Sequence, residues 1–250
     1  SIDILDDQSL PQLTSALQHI HFAPDVETLR DAVRRLKFDE HFFLQLLMAL
    51  RKTIITEQSG RTMAEVGPYV KQIYETLGFE LTGAQKRVLK EIRADMASPE
   101  VMNRLLQGDV GSGKTIVAIL ASAVAVSNGA QVAVMVPTEI LAHQHYHVFK
   151  SHLDAVRMPT ALLVGKQKLT ERKMILAAIQ EGRVNVVVGT HAIIQNEVTF
   201  QDLGLVIIDE QQRFGVLQRG KLLSKGNNPD ILAMTATPIP RTMAITYHGD

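Results

Sequence analysis

Apolar residues fall into two different patterns along this chain. Up to about residue 60 they recur at helical spacing. Leu29, Val33 and Leu36 sit at i, i+4 and i+7, and Phe42, Phe43, Leu46, Leu47 and Leu50 continue the stripe after Asp39, a candidate N-cap. Turn-rich breaks follow at Ser59-Gly60 and at Gly67-Pro68. From about Leu81 short apolar runs alternate with longer amphipathic stretches. The runs Arg104–Leu106, Val132–Val136, Ala161–Val164, Val184–Val188, Leu205–Ile208 and Ile231–Met234 read as strands. Between them, residues 84–96, 114–127, 139–152, 170–181 and 213–224 read as helices. Val- and Ile-rich strands separated by helices predict a parallel sheet covered on both faces, with ligands bound at the carboxyl ends of its strands. The stripe over residues 29–50 is expected to pack against this α/β region.

Composition narrows the possibilities. The 250 residues are 46% hydrophobic and 21% charged, which suits a folded chain and excludes a disordered or fibrous one. The chain has no Cys, so thiol catalysis, thiolate metal sites and disulfides are excluded, and a cytoplasmic, reducing setting is expected. The apolar run Ile116–Val126 is about half of the roughly 20 residues a membrane helix needs, so a buried helix and no membrane partner are expected. Twenty-six Lys and Arg balance 26 Asp and Glu. A neutral balance by itself argues against nucleic acid, whose binding domains are usually basic. The start at Ser1 and the ending at Asp250 suggest a piece of a longer protein.

The chemistry concentrates at strand ends. Gly108-Asp109-Val110-Gly111-Ser112-Gly113-Lys114-Thr115 follows the first predicted strand and opens the apolar helix. This G-x-x-x-x-G-K-T pattern lets main-chain N–H groups curl around phosphates at a helix N-terminus. Lys114 can then reach the β- and γ-phosphates and Thr115 can hold Mg²⁺. A chance match somewhere in a chain of this length is on the order of one per cent, so nucleotide binding is the stronger reading than an incidental Gly-rich turn. Leu205–Ile208 leads directly into Asp209-Glu210. Asp209 is suited to hold Mg²⁺ and Glu210 to orient or deprotonate the attacking water.

These blocks, with four more, resemble the first motor domain of superfamily 2 DNA helicases of the RecG, branched-DNA type. They are Leu81-Thr82-Gly83-Ala84-Gln85, Pro137-Thr138-Glu139-Ile140-Leu141-Ala142, Gly189-Thr190-His191-Ala192 and Thr235-Ala236-Thr237-Pro238-Ile239-Pro240-Arg241-Thr242, with Asp209–Gly215 among them in the family's order. The resemblance implies a RecA-like α/β domain over residues 61–250, preceded by a helical linker over 1–60 that leads from a DNA-binding wedge domain. It implies ATP and Mg²⁺ as cofactors, and Lys114, Asp209 and Glu210 as the catalytic set. Gln85 would read adenine, and Phe79 would stack on that base unless it is a core aromatic. Gly108, Gly111, Ser112, Gly113, Lys114 and Thr115 would hold the phosphates. Thr138 and Thr190 would grip DNA phosphates, and Gln212, Thr235 and Thr237 would couple hydrolysis to DNA contact.

The implied substrate is branched or forked DNA, handled together with a second RecA-like domain and the wedge domain. The motor of a transcription-repair coupling factor shares most of these motifs, though Gln211 and Ser112 favour the branched-DNA type. A nucleotide-binding module without motor activity is a third reading. The motifs stop at Arg241, short of a second motor domain and its arginine finger. The chain alone is therefore expected to bind ATP, to hydrolyse it slowly and to respond little to DNA, since such fingers contribute about 10³–10⁵ in rate. Two positions depart from the family pattern: Gln212 stands where it has His, and Val164 where it tends to have Thr. His143, His145 and His147 lack a completing ligand and read as a solvated helix surface, as do Arg30, Arg34, Arg35 and Lys37.

Overall fold

The sheet that these strands build is entirely parallel, and its strand order explains where the sequence motifs meet. The computed structural model describes residues 8–56 and 60–236. Its chain divides into two units between Ile55 and Thr56.

The first unit holds α1 (Leu13–His19) and α2 (Val26–Thr56). Asp25 starts α2, its Oδ1 accepting from Thr28 N at 2.7 Å, the N-cap pattern of a short acidic side chain. Asp39 is not an N-cap. It lies in mid-helix, where its carboxylate accepts from Arg35 Nε one turn earlier at 3.0 Å. Arg35 is therefore not solvated either: it is 7% exposed, and Nη1 donates to Pro11 O at 2.7 Å, tying α2 to the segment before α1.

In the second unit, α3 (Gly67–Thr76) replaces the expected break at Gly67-Pro68. Gly67 takes φ 60°, the turn that brings the chain in, and the proline occupies the helix's first turn, where no N–H is needed. There follow α4 (Gly83–Met96), β1 (Asn103–Gln107), α5 (Lys114–Ser127), β2 (Gln131–Met135), α6 (Glu139–Leu153), β3 (Thr160–Leu163), α7 (Leu169–Gln180), β4 (Val186–Gly189), β5 (Leu203–Asp209), α8 (Val216–Leu223) and β6 (Asp230–Thr235). Each of the six strands read from the sequence is present. The last helix starts at Val216 because a 3₁₀ turn, Gln211–Arg213, intervenes.

The strand order is β1-β6-β5-β2-β4-β3, with every pairing parallel. Alternate residues feed two cores. Val132, Val134, Val186, Val188, Leu205 and Ile207 join the cluster under α3 to α6, while Ala133, Met135, Val187, Val206 and Ile208 join the one beneath α7 and α8. This two-sided burial is why the strands read as unbroken apolar runs. Helix α5 is buried from Ile116 to Ala125, which accounts for its apolar sequence without a membrane. No helix among the described residues is long and apolar enough to span a bilayer. Because β5 and β6 insert between β1 and β2, the chain leaving β1 must cross over them, a topology that favours ligand binding at the carboxyl ends of the strands there.

Candidate nucleotide and coupling site

The loop after β1 is shaped by its glycines. Gly111 and Gly113 adopt φ 80° and 81°, a left-handed backbone that side chains resist. A Cβ on Gly113 would also collide with the Gln85 amide. The loop thus wraps back to place Lys114 as the first residue of α5. Lys114 Nζ donates to Gly108 O at 2.6 Å and Asp109 O at 2.9 Å, within the loop it would serve. A phosphate in the loop would compete with those carbonyls for the ammonium, as a charged acceptor forms the stronger hydrogen bond.

Gln85 reaches the same loop from α4. Its Nε2 donates to Ser112 O at 2.9 Å, while its Oε1 accepts from Thr82 N at 2.8 Å and its own N donates to Thr82 Oγ1 at 3.2 Å. This is a capping box whose Gln also ties the helix start to the phosphate loop. Each end of the amide retains one further bonding position, enough for a base edge. Phe79 is 55% exposed, so it is no core aromatic and stands open for stacking.

At the end of β5, Asp209 is followed by Glu210 in a left-handed conformation, φ 52° and ψ 52°. Such a backbone costs on the order of 1–3 kcal/mol for a residue with a side chain, and strain of this kind concentrates at functional sites. Gln212 Nε2 donates to Glu210 Oε2, and Gln212 Oε1 accepts from Thr235 Oγ1 at 3.3 Å. Thr235 O in turn accepts from Gly108 N at 3.3 Å. A hydrogen-bonded path therefore runs from the phosphate loop through the end of β6 to the acidic pair. Gln212 serves both sides of that path with the nitrogen and the oxygen of its amide, so the departure from His does not break it. Thr237 lies outside the described residues.

Thr138 caps α6, its Oγ1 accepting from Leu141 N at 3.3 Å, and is exposed. Thr190, after β4, is 1% exposed, and its hydroxyl is buried without a hydrogen-bond partner. A contact with DNA through that hydroxyl requires its surroundings to open. Val164 is buried in the core, and the turn beyond it is held without a threonine: Gln167 Oε1 accepts from Val164 N at 3.2 Å, and Glu139 Oε1 accepts from Gly165 N at 3.1 Å and Lys166 N at 3.3 Å.

One site residue escaped the sequence reading. His145 does not belong to a solvated surface: its Nε2 lies 3.0 Å from Asp209 Oδ2, and the two side chains are 12% and 13% exposed. His143 and His147, by contrast, are exposed. The helical spacing signals only which face of α6 each residue occupies, and no local pattern announces a partner 64 residues away.

The oxygen donors present suit magnesium. Thr115 offers a hydroxyl at the start of α5 and Asp209 a carboxylate with Oδ1 left over from the His145 contact. Among the described residues no group of three or more His, Asp or Glu could hold an ion. A hard cation bound by one carboxylate, a hydroxyl, water and nucleotide phosphates needs no such group.

Fold and site together define a P-loop nucleotide-binding domain of the RecA-like α/β class. The chain matches the DEAD/DEAH box helicase family over residues 82–245 and belongs to that family. It is 48% identical over 249 residues, 99% of its length, to the ATP-dependent DNA helicase RecG of Synechocystis sp., of which it covers 30%. It is likewise 48% identical over 242 residues to RecG of Bacillus subtilis, covering 36% of that protein. A solved structure of RecG bound to a three-way DNA junction superimposes with TM-score 0.86 at 42% identity, over 99% of this chain and 33% of the other. The helicase Mss116p bound to single-stranded RNA shares the fold alone, at 18% identity and TM-score 0.56. The chain spans about a third of the length of the relatives it resembles.

Proposed function

We propose that this chain is the first motor domain, with its helical linker, of an ATP-dependent DNA helicase that remodels branched DNA such as stalled forks and Holliday junctions in repair and recombination. The domain is assigned to residues 61–250 and the linker to 1–60. The observation that carries the reading is the bonded path Gly108–Thr235–Gln212–Glu210, which ties the phosphate loop to the residue that would orient water. The RecG name shared by the relatives supports branched DNA over the coupling-factor alternative. A cytoplasmic setting fits a Cys-free chain that acts on DNA.

The loop from Gly108 to Thr115 would hold the ATP phosphates, Lys114 leaving the Gly108 and Asp109 carbonyls for them. Gln85 and Phe79 would receive the adenine. Thr115 and Asp209 would hold a magnesium ion, whose charge would offset that of the phosphate oxygens. Glu210, held by Gln212, would accept a proton from the attacking water or orient it. Thr138 and Thr190 would meet DNA phosphates at neighbouring strand ends, where hydroxyls and main-chain N–H groups position a backbone without reading sequence. This mode of contact needs few cations and fits a chain with zero net charge. A second RecA-like domain and a wedge domain would complete the motor.

The test is ATPase rate with and without forked DNA, for this chain and for the chain joined to a second motor domain. The expected result is MgATP binding with slow, DNA-insensitive turnover by the chain alone, and stimulation by forked DNA in the longer protein. Stimulation in neither would favour a nucleotide-binding module without motor activity.

A further inference from the structure

His145 sits about two turns beyond Thr138 on α6, so one rigid helix carries both a capped, exposed strand-end threonine and a histidine that touches Asp209. A carboxylate oxygen only accepts, so His145 Nε2 carries the proton and donates to Asp209 Oδ2 at 3.0 Å. The imidazole is tilted against Phe149, one turn further on, with ring centroids 6.4 Å apart, and Phe149 is fully buried. The ring's other nitrogen, Nδ1, is buried with no hydrogen-bond partner. A polar ring half-satisfied in a buried site is a poor way to fill space. Leu or Met there would pack without an unmade bond. What the ring does accomplish is to fix one oxygen of Asp209 and leave Oδ1 for another partner.

We infer that His145 is a positioning residue for Asp209 and links that carboxylate to the helix that Thr138 caps. Resting on the reading of Asp209 as a magnesium ligand, it deepens that reading. Outer partners that orient a ligating carboxylate typically change metal affinity by about 10–100-fold when removed. Helix α6 then provides the physical connection: it carries the Thr138 cap and His145 on one element, so a shift of its N-terminus would also move the hydrogen bond on Asp209.

The test uses the 250-residue chain with Mn²⁺ as a spectroscopically visible stand-in for Mg²⁺. Free Mn²⁺ is read by electron paramagnetic resonance in the presence of ADP, and ADP affinity is measured separately in chelator. His145→Leu keeps the volume and removes the bond. It is expected to weaken Mn²⁺ binding about tenfold and to leave metal-free ADP affinity unchanged. His145→Gln, whose amide nitrogen has similar reach, is expected to retain most of the Mn²⁺ affinity. His145→Asn, which is too short, should match the Leu variant, so the outcome does not depend on how well Leu is tolerated. In an Asp209→Asn background, His145→Leu should add nothing. Unchanged Mn²⁺ affinity in the Leu and Asn variants, or equal losses with and without metal, would overturn the inference while leaving the nucleotide reading intact. Failure of the unaltered chain to bind Mn²⁺ with ADP would instead remove Asp209 as the metal ligand and the inference with it.

Discussion

The amide nitrogen of Gln85 donates to the main-chain carbonyl of Ser112 at 2.9 Å, joining the first turn of one helix to the phosphate loop that opens another. The same amide closes the capping box with Thr82. Gln85→Ala therefore removes a cap contact of about 1 kcal/mol and loosens the loop. If Gln85 also reads adenine, the preference for ATP over GTP should collapse in the variant, since a bidentate amide contact is worth about 1–3 kcal/mol of discrimination. Calorimetric titration with both nucleotides checks this. An equal loss for the two would confine Gln85 to supporting the loop.

Gln212 holds Glu210 with one end of its amide and Thr235 with the other. Gln212→Leu cuts both bonds without touching the phosphate loop. In the chain joined to a second motor domain, nucleotide affinity is expected to stay as it was while DNA-stimulated hydrolysis falls about tenfold, the size of a typical coupling free energy. Gln212→His should keep the stimulation. A matching fall in the rate without DNA would assign Gln212 to the chemistry itself.

Gln131, the first residue of β2, is 3% exposed and fully satisfied. Its Nε2 donates to Ile179 O at 2.9 Å and Val184 O at 2.8 Å, and its Oε1 accepts from Gln201 N at 2.8 Å and Asp202 N at 3.1 Å. One side chain thus pins the approaches to β4 and β5 onto β2. Gln131→Leu keeps the volume but strands those groups, of which only Ile179 O has a second partner in Gly182 N at 3.1 Å. A loss of about 3 kcal/mol is expected, read by urea unfolding, from roughly 1–3 kcal/mol per unsatisfied buried group. A change below about 1 kcal/mol would mean that water replaces the amide there.

What could be read from the sequence, and what could not, follows the range of the interaction responsible. The strands were legible because a parallel strand buried on both faces is a run such as Val186-Val187-Val188, whatever surrounds it. The phosphate loop was legible because the conformations at Gly111 and Gly113 are enforced locally. Helix α3 was hidden by Gly67-Pro68, a pair that marks a turn and a helix start equally well. Asp39 resembled a cap because an acid ahead of an apolar run fits a helix start as well as it fits a mid-helix partner for Arg35 one turn earlier. The bonds His145–Asp209 and Gln131–Val184 join residues far apart in the chain, and no short-range pattern encodes them.

Asp230, at the base of β6, gives the fold a pH dependence of its own. It is 2% exposed, with Oδ1 accepting from Met102 N at 2.7 Å and Oδ2 buried without a partner. Burial pushes its pKa up to about 7 from the ordinary 3.8, the Met102 N–H opposes the shift, and the nearby charge of Asp95 adds to it. Between those two values the folded chain holds a proton that the unfolded chain has released. Stability contributed at this site is thus greatest at the acid end, falls as pH rises through the window, and is fully lost above about pH 7. Asp230→Asn keeps an acceptor for Met102 and carries no charge. It should flatten the slope across the window and exceed the unaltered chain in stability above about pH 7, by on the order of 1–3 kcal/mol, with little difference near about pH 4. Urea unfolding at a series of pH values measures this directly. Parallel curves for the two proteins would mean that the Asp230 carboxyl is reached by water and titrates as an ordinary acid.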